Sequence, residues 1–194
     1  MLVLATALVA LDQLTKLWVV RSLPLGSQEI ALALGFSLTH VRNNGAAFGM
    51  LRNFDLEVLG FHLDGTFMLG LLSGIVALGL LVYMLRGGAR QPLLVRTALG
   101  MVLAGAVGNM IDRLRLGYVT DFIHFSSGSF SFPVFNVADM CVVIGAGLLV
   151  IASFARPTGA EGARVSTGVR APHPTGLEDF PDLPPLGGRT TSAE

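Results

Sequence analysis

The sequence predicts an all-α membrane protein with four transmembrane helices, a small strand-rich extracytoplasmic segment and a disordered cytoplasmic tail. The 194 residues are 52% hydrophobic and only 13% charged, unlike the composition of ordinary soluble domains. Four long runs are almost free of charge, and roughly 20 apolar residues suffice to cross a hydrocarbon core of about 30 Å. Arginines concentrate in two segments beside these runs, which is typical of cytoplasmic loops.

The apolar runs define the predicted spans, which cover about residues 1–20, 65–85, 93–112 and 134–155. The first span is the weakest because it contains Asp12 and Lys16, and its alternative interpretation is a cleaved signal peptide. It has no basic region at its start, which argues against that alternative, and the short start leaves open an initiation site further upstream. Proline is tolerated in a first helical turn, so we expect the fourth helix to begin at Phe132–Pro133.

Two groups of arginines set the predicted orientation. One group lies between the second and third spans and the other follows the fourth span: Arg86, Arg90 and Arg96, then Arg156, Arg164 and Arg170. The positive-inside rule places both groups in the cytoplasm, together with the N- and C-termini. Segments 21–64 and 114–132 then lie outside, although Arg21, Arg42 and Arg52 weigh against this orientation without reversing it.

The first outer segment and the end of the chain differ from the spans in their pattern. Apolar and polar residues alternate from Ile30 to Val41, and the turn-like Asn43-Asn44-Gly45 follows, which predicts strands. Residues 156–194 contain six of the nine prolines and little that could form a core. We therefore expect a membrane domain over 1–155 and a disordered cytoplasmic tail over 156–194.

Composition excludes several classes of function. Thirteen basic residues balance thirteen acidic ones, whereas a nucleic-acid-binding domain normally carries a basic patch. The single cysteine, Cys141, excludes an internal disulfide framework and any multi-cysteine metal site. The four histidines lack the spacing of metal ligands.

Charged and amide side chains in or beside a membrane helix are functional candidates because burying them is expensive. Asp12 and Lys16 lie one helical turn apart, either as a structural ion pair or with a direct role. Asn109 and Arg113 lie on one helix face and are predicted to point at a common spot. Asp112, between them, is interpreted as a structural partner for a nearby arginine.

A pair of aspartates is the main candidate for chemistry. The predicted orientation places Asp121 and Asp139 on the same outer side at similar depth, close to each other. Two carboxylates in a site of low dielectric cannot both ionise easily, so they share a proton. One acid can then deprotonate a water while the other protonates or polarises a carbonyl. The nearby amide and guanidinium donors are Asn43, Asn109, Asn136 and Arg113.

Four blocks around these residues resemble one known family, the bacterial lipoprotein signal peptidases (signal peptidase II). They are residues 12–16 (DQLTK), 43–48 (NNGAAF), 105–113 (GAVGNMIDR) continuing to 117–123 (GYVTDFI), and 135–139 (FNVAD). The blocks occur in the order and spacing of that family and cover the chain from about residue 8 to 155. One block alone is weak, but four together are specific.

The resemblance implies a four-helix membrane aspartic endopeptidase with an extracytoplasmic cradle formed by the outer segment. Its expected reaction removes the signal peptide from a diacylglyceryl-modified prolipoprotein, just before the lipidated cysteine. Asp121 and Asp139 match the catalytic pair of the family. The other matches are supporting residues: Asn43, Asn109, Arg113, Asn136, Asp12 and Lys16.

The resemblance also implies a location and partners. We expect a multi-pass monomer in the bacterial cytoplasmic membrane, with its active site near the extracytoplasmic face and no metal or organic cofactor. Prolipoproteins and membrane lipid are the expected partners, and nucleic acid is not.

Two other functions remain open from the residues alone. A proton-coupled transporter or channel also uses intramembrane acids, but its acids would be spread across the membrane depth. A non-catalytic scaffold for membrane proteins would lose only stability when a carboxylate is removed.

Overall fold

Four long apolar helices dominate the fold. The computed structural model describes residues 1–27, 29–45, 55–58 and 61–154. The helices are α1 (Leu2–Ser22), α2 (Gly65–Arg86), α3 (Leu93–Leu116) and α4 (Val137–Phe154), with a short 3₁₀ turn at Gly88–Arg90. Each is long and apolar enough to cross a membrane, which confirms that part of the prediction. The predicted disordered tail, 156–194, lies outside the described residues.

The fourth helix begins later than the sequence analysis expected. Phe132 and Pro133 belong to a strand, and α4 begins only at Val137. Asn136 precedes the helix and caps it, because its side-chain Oδ1 accepts a hydrogen bond of 2.9 Å from the backbone N–H of Asp139. An asparagine cap satisfies one of the free N–H groups of the first turn, and here it outweighs the preference of proline for a first turn.

The segments between α1 and α2 and between α3 and α4 form a four-stranded antiparallel sheet. Its strands are β1 (Ile30–Ala31), β2 (Phe36–Asn43), β5 (Val119–Ser127) and β6 (Phe130–Phe135), arranged β1-β2-β5-β6. A separate hairpin consists of β3 (Asp55–Val58) and β4 (Phe61–Asp64). The strands expected around 30–41 are therefore present, and the sheet also takes β5 and β6 from a segment for which no strands were predicted.

The missed strand β5 has a physical explanation. Its first four residues, 119–122, are all buried, so both faces of the strand are covered there. A strand buried on both faces lacks the alternation of apolar and polar residues that identifies a half-buried strand. Gly117, with φ 74°, ends α3 in the left-handed conformation two residues before β5 begins.

Small residues allow α3 and α4 to pack closely. A Cβ atom added to Gly105 would overlap the carbonyl oxygen of Ala138 and lie 2.5 Å from Val142 Cγ2. One added to Gly145 would lie 2.8 Å from the Ala98 carbonyl oxygen. Close helix packing through small residues is common in membranes. Here it brings the first turn of α4 against α3.

A small apolar cluster joins the sheet to the end of α1. Val19, Leu23 and Phe122 form its buried centre, and Leu38 and Ile123 pack against it. Leu38 and Ile123 are register partners in β2 and β5. The cluster therefore fixes the position of β2 and β5 relative to α1.

We predict that Gly105→Ala destabilises the protein by about 1–3 kcal/mol, the usual effect of overpacking a tight interior. The added methyl group would force α4 away from α3, since its nearest neighbour is backbone. The measurement is the thermal unfolding midpoint of the purified protein in detergent.

Gly147→Ala is the matched control, because no atom lies within 4 Å of a Cβ added at that position of α4. It should leave the unfolding midpoint unchanged. Equal effects of the two substitutions would contradict the close packing of α3 and α4.

Candidate active site

The two predicted aspartates lie on different elements and are joined by one asparagine. Asp121 belongs to β5 and Asp139 to the first turn of α4. Asn136 Nδ2 donates to Asp121 Oδ1 at 2.7 Å, and the backbone N–H of Asn136 donates to Asp139 Oδ2 at 3.2 Å. Because Asn136 also caps α4 and is fully buried, it holds both carboxyl groups at the start of that helix.

Two more asparagines complete the set of donors. Asn43 Nδ2, at the end of β2, donates to Asp121 Oδ2 at 2.9 Å. Asn109 Nδ2, in α3, donates to Asp139 Oδ1 at 2.7 Å. Each of the four carboxyl oxygens thus accepts a hydrogen bond, and the structure brings together five of the predicted site residues.

The two carboxyl groups have different surroundings. The Asp121 side chain is only 2% exposed, whereas Asp139 is partly exposed. Burial, and next the negative charge of Asp139, raise the pKa of Asp121 to about 7. The hydrogen bonds from Asn43 and Asn136 and the charge of Lys16 act in the opposite direction without overcoming burial. Asp121 therefore holds a proton readily near neutral pH.

A groove of about 240 Å³ lies between α2, α3 and α4 and is lined by Asn109, the residue that donates to Asp139. Asn109 and Arg113 lie at its polar part, as the sequence predicted for one helix face. Its other walls are Leu72, Ser73, Val76, Val102, Gly105, Ala106 and Val142. The Nε atom of Arg113 is buried and has no hydrogen-bond partner among the described residues, so a donor remains available beside the groove.

Lys16 is the centre of a buried ion cluster next to the aspartates. Its Nζ lies 2.9 Å from Asp12 Oδ2 and 3.1 Å from Asp112 Oδ2. The same Nζ donates to Asn109 Oδ1 at 3.1 Å. All three charged side chains are at least 95% buried. Asp12 and Lys16 are therefore paired, and they also contact a residue that holds Asp139.

The carboxylates of this cluster bind the backbone beside each candidate aspartate. Asp12 Oδ1 accepts a hydrogen bond of 2.9 Å from the N–H of Ala138, the residue before Asp139. Asp112 Oδ2 accepts a hydrogen bond of 3.1 Å from the N–H of Thr120, the residue before Asp121. The ion cluster thus fixes the backbone on both sides of the site.

Asp112 and Gln13 are site residues that the sequence analysis did not assign. Asp112 was interpreted as a partner for a nearby arginine, which is wrong: its ionic partner is Lys16. Gln13 Nε2 donates to Asp112 Oδ1 at 3.0 Å and to the Gly108 carbonyl at 3.2 Å. The signal for Gln13 was its position between Asp12 and Lys16 in a weakly apolar span.

We predict that Lys16→Met destabilises the protein by about 3–5 kcal/mol, the usual effect of removing one partner of a buried ion pair. Two buried carboxylates would lose their counter-charge. The check is thermal unfolding in detergent, with Arg21→Met as the control, since Arg21 lies exposed in the last turn of the same helix. An equal loss in both variants would argue against the ion cluster as a stabilising element.

We predict that the stability of Asp121→Asn relative to the unsubstituted protein increases as pH rises. The pKa of Asp121 is raised from 3.8 to about 7 in the folded state, so folding binds a proton within that window. Stability of the unsubstituted protein is then lost as pH rises from about 4 to 7, and asparagine does not titrate. Unfolding midpoints of both proteins are measured at pH 5 and pH 8, and a midpoint of Asp121→Asn that falls relative to that of the unsubstituted protein over this range would contradict the assignment.

Comparisons with known proteins identify the family. The family model described as Signal peptidase (SPase) II matches residues 4–155. A lipoprotein signal peptidase of Symbiobacterium thermophilum is 44% identical over 151 residues, which cover 77% of this chain and 91% of that protein. One of Brevibacillus brevis is 39% identical, over 78% of this chain and 92% of that protein.

Solved structures agree with this assignment. A bacterial membrane enzyme solved by the in meso method at 2.3 Å resolution has a TM-score of 0.67 and 28% identity, over 84% of this chain and 92% of that chain. Another bacterial membrane enzyme, solved by the same method at 1.9 Å resolution, has a TM-score of 0.65 and 29% identity, over 80% of this chain and 92% of that chain. With its four apolar helices, the chain is a multi-pass membrane protein that belongs to the signal peptidase II family of proteases.

Proposed function

We propose that this protein is a membrane aspartic endopeptidase that removes the signal peptide from diacylglyceryl-modified prolipoproteins, just before the lipidated cysteine. The observation that carries the proposal is the pair Asp121 and Asp139, joined by Asn136, with a donor on every carboxyl oxygen. The relatives are lipoprotein signal peptidases by name, which supports the substrate class.

The different burial of the two carboxyl groups supports a division of roles. Asp121, with its raised pKa, holds the proton that the pair shares at rest, and the more exposed Asp139 acts as the base. Asp139 takes a proton from a water molecule as the water oxygen attacks the scissile carbonyl carbon. Asp121 gives its proton to the carbonyl oxygen, so that a neutral gem-diol forms.

Breakdown of the gem-diol restores both carboxyl groups. The C–N bond breaks as Asp139 returns its proton to the leaving nitrogen, and a diol hydroxyl returns its proton to Asp121. The net reaction adds one water across the peptide bond. The amide donors from Asn43, Asn109 and Asn136 hold the carboxyl groups in position throughout, so no reorganisation is needed at the moment of reaction.

The groove between α2, α3 and α4 supports a substrate held in the plane of the membrane. Its apolar walls match a signal-peptide segment or acyl chains, and its lateral position between helices matches a substrate that diffuses in the bilayer. Arg113 lines this groove, and its Nε–H, which has no hydrogen-bond partner among the described residues, supplies a donor for a substrate carbonyl. Asp12 and Lys16 support the site indirectly, through the backbone and Asn109.

Arginine placement supports an active site near the extracytoplasmic face of the bacterial cytoplasmic membrane. Arg86, Arg90 and Arg96 lie around the link between α2 and α3, whereas the aspartates lie at the opposite ends of the helices, after α3 and at the start of α4. The positive-inside rule then places both chain termini in the cytoplasm. We propose that the enzyme acts as a monomer.

The clustering of acids favours a protease over a proton-coupled transporter. Asp12, Asp112 and Asp139 are all linked to Asn109 or Lys16. They therefore lie at one depth, whereas a proton path needs titratable groups across the membrane.

We predict that Asp121→Asn and Asp139→Asn each lower kcat for prolipoprotein cleavage by at least about 10²-fold, the usual contribution of a general acid or base. Asparagine keeps the size of the side chain but cannot exchange a proton with water or substrate. The assay follows release of the signal peptide from a purified lipidated prolipoprotein in detergent. Thermal unfolding confirms that each variant is folded.

Asp64→Asn is the matched control. Asp64 caps α2 by accepting a hydrogen bond of 2.7 Å from the Phe67 N–H. Asparagine also caps helices well, so Asp64→Asn should not change the rate of cleavage. A folded Asp121→Asn or Asp139→Asn variant that cleaves at the control rate would refute the catalytic pair. Loss of stability alone, with normal cleavage, would show that the substituted carboxyl group supports the fold and not the reaction.

A further inference from the structure

The end of the four-stranded sheet that lies away from the aspartates is apolar and exposed. We call residues 32–36 and 125–132 the sheet tip. Leu34 is 90% exposed and Phe130 is 57% exposed. The other exposed large apolar side chains of the tip are Leu32, Phe36 and Phe132.

These residues form one continuous surface. The Ser126 N–H donates to the Gly35 carbonyl at 2.9 Å, which holds the turn before β2 against the end of β5. The Phe125 ring lies 4.9 Å from the Phe36 ring and 6.4 Å from the Phe130 ring, centroid to centroid. Contiguous exposed apolar patches of this kind mark sites of interaction.

Acidic residues, lysine and arginine are absent from the segments that build the tip. Residues 30–41 and 122–138 contain no Asp, Glu, Lys or Arg. His40 Nδ1 lies 2.9 Å from the Leu23 carbonyl and His124 Nδ1 lies 2.7 Å from a Glu29 carboxylate oxygen, so both histidines are engaged within the protein. Sheet edges and hairpin ends that face water usually carry charges, and these do not.

Leu34 has an unfavourable backbone conformation for its residue type. Its φ is 59°, in the left-handed region, where a Cβ atom is unfavourable and where Gly, Asn or Asp is usual. A leucine therefore gives this turn no conformational advantage.

The connections of the sheet keep it close to the bilayer. Two residues separate α3 from β5 and one residue separates β6 from α4, so the end of the sheet that carries Asp121 is tethered beside the spanning helices. Trp18 and Val20 of α1, and Leu25 and Ile30 between α1 and the tip, are also exposed apolar side chains. We propose that the sheet tip inserts into the headgroup–acyl boundary of the leaflet beside the aspartates and anchors the sheet there.

This anchor is independent of the reaction that the aspartates perform, because it concerns only where the tip lies. Leucine and phenylalanine side chains on a surface element are suited to that boundary. The anchor would hold the sheet, and with it Asp121, at a fixed height above the acyl chains.

Tryptophan fluorescence tests the proposal directly. Trp18 is the only tryptophan of the chain, so Trp18→Phe provides a silent background. Phe130→Trp and, separately, Leu34→Trp are then placed in that background and reconstituted into phosphatidylcholine bilayers. Both should show blue-shifted emission and stronger quenching by lipids brominated near the headgroup than by lipids brominated near the chain ends. Circular dichroism and thermal unfolding confirm folding.

Glu57→Trp is the matched control, because it replaces a charged side chain at an exposed position of the β3–β4 hairpin. It should be quenched by aqueous acrylamide and not by brominated lipid. The same behaviour at positions 34 and 130 would overturn the proposal. Blue-shifted emission without quenching by any brominated lipid would also overturn it, since a second copy or another protein would then cover the tip.

Discussion

The ammonium group of Lys16 connects the two segments that carry the candidate aspartates. It lies between Asp12 and Asp112, and these carboxylates accept hydrogen bonds from Ala138 and Thr120, the residues just before the two aspartates. Buried charges are tolerated only when every partner is in place. Satisfying this one cluster therefore requires α1, α3, β5 and the start of α4 to meet in a single arrangement. The geometry of the site follows from that requirement.

The charged cluster around Lys16 also explains how Asp121 and Asp139 can stay close together although their proximity is unfavourable. Burial of Asp121 next to Asp139 is unfavourable for the ionised pair, and this is the origin of the raised pKa of Asp121. An isolated hairpin would relieve the conflict by opening. Here β5 is hydrogen-bonded through the Thr120 backbone to Asp112 and packed on α1 through Phe122. Asp121 therefore stays buried, and its raised pKa lets it hold a proton that an acid–base reaction can use.

The sequence predicted the parts of the fold that depend on local composition. Apolar runs identified all four helices, since crossing length is a property of consecutive residues, and five predicted polar residues meet at the site. What it missed depends on partners far apart in the chain. Asp112 was assigned to an arginine because its true partner, Lys16, is 96 residues away, and β5 lacks alternation because both its faces are covered. The predicted start of α4 was wrong because the sequence alone does not show that Asn136 caps the helix through its hydrogen bond to the Asp139 N–H.

Strand β5 joins the chemistry to the lipid surface. Asp121 lies near its beginning, and the sheet tip lies at its end, six residues later at Ser127. At about 3.3 Å per residue this separation is roughly 20 Å along a strand that is paired on both sides. A strand paired on both sides moves as a rigid element, so a shift of the tip in depth is transmitted to the carboxyl group. The proposed membrane contact of the tip would therefore hold Asp121 at a constant height above the acyl chains without taking part in the reaction.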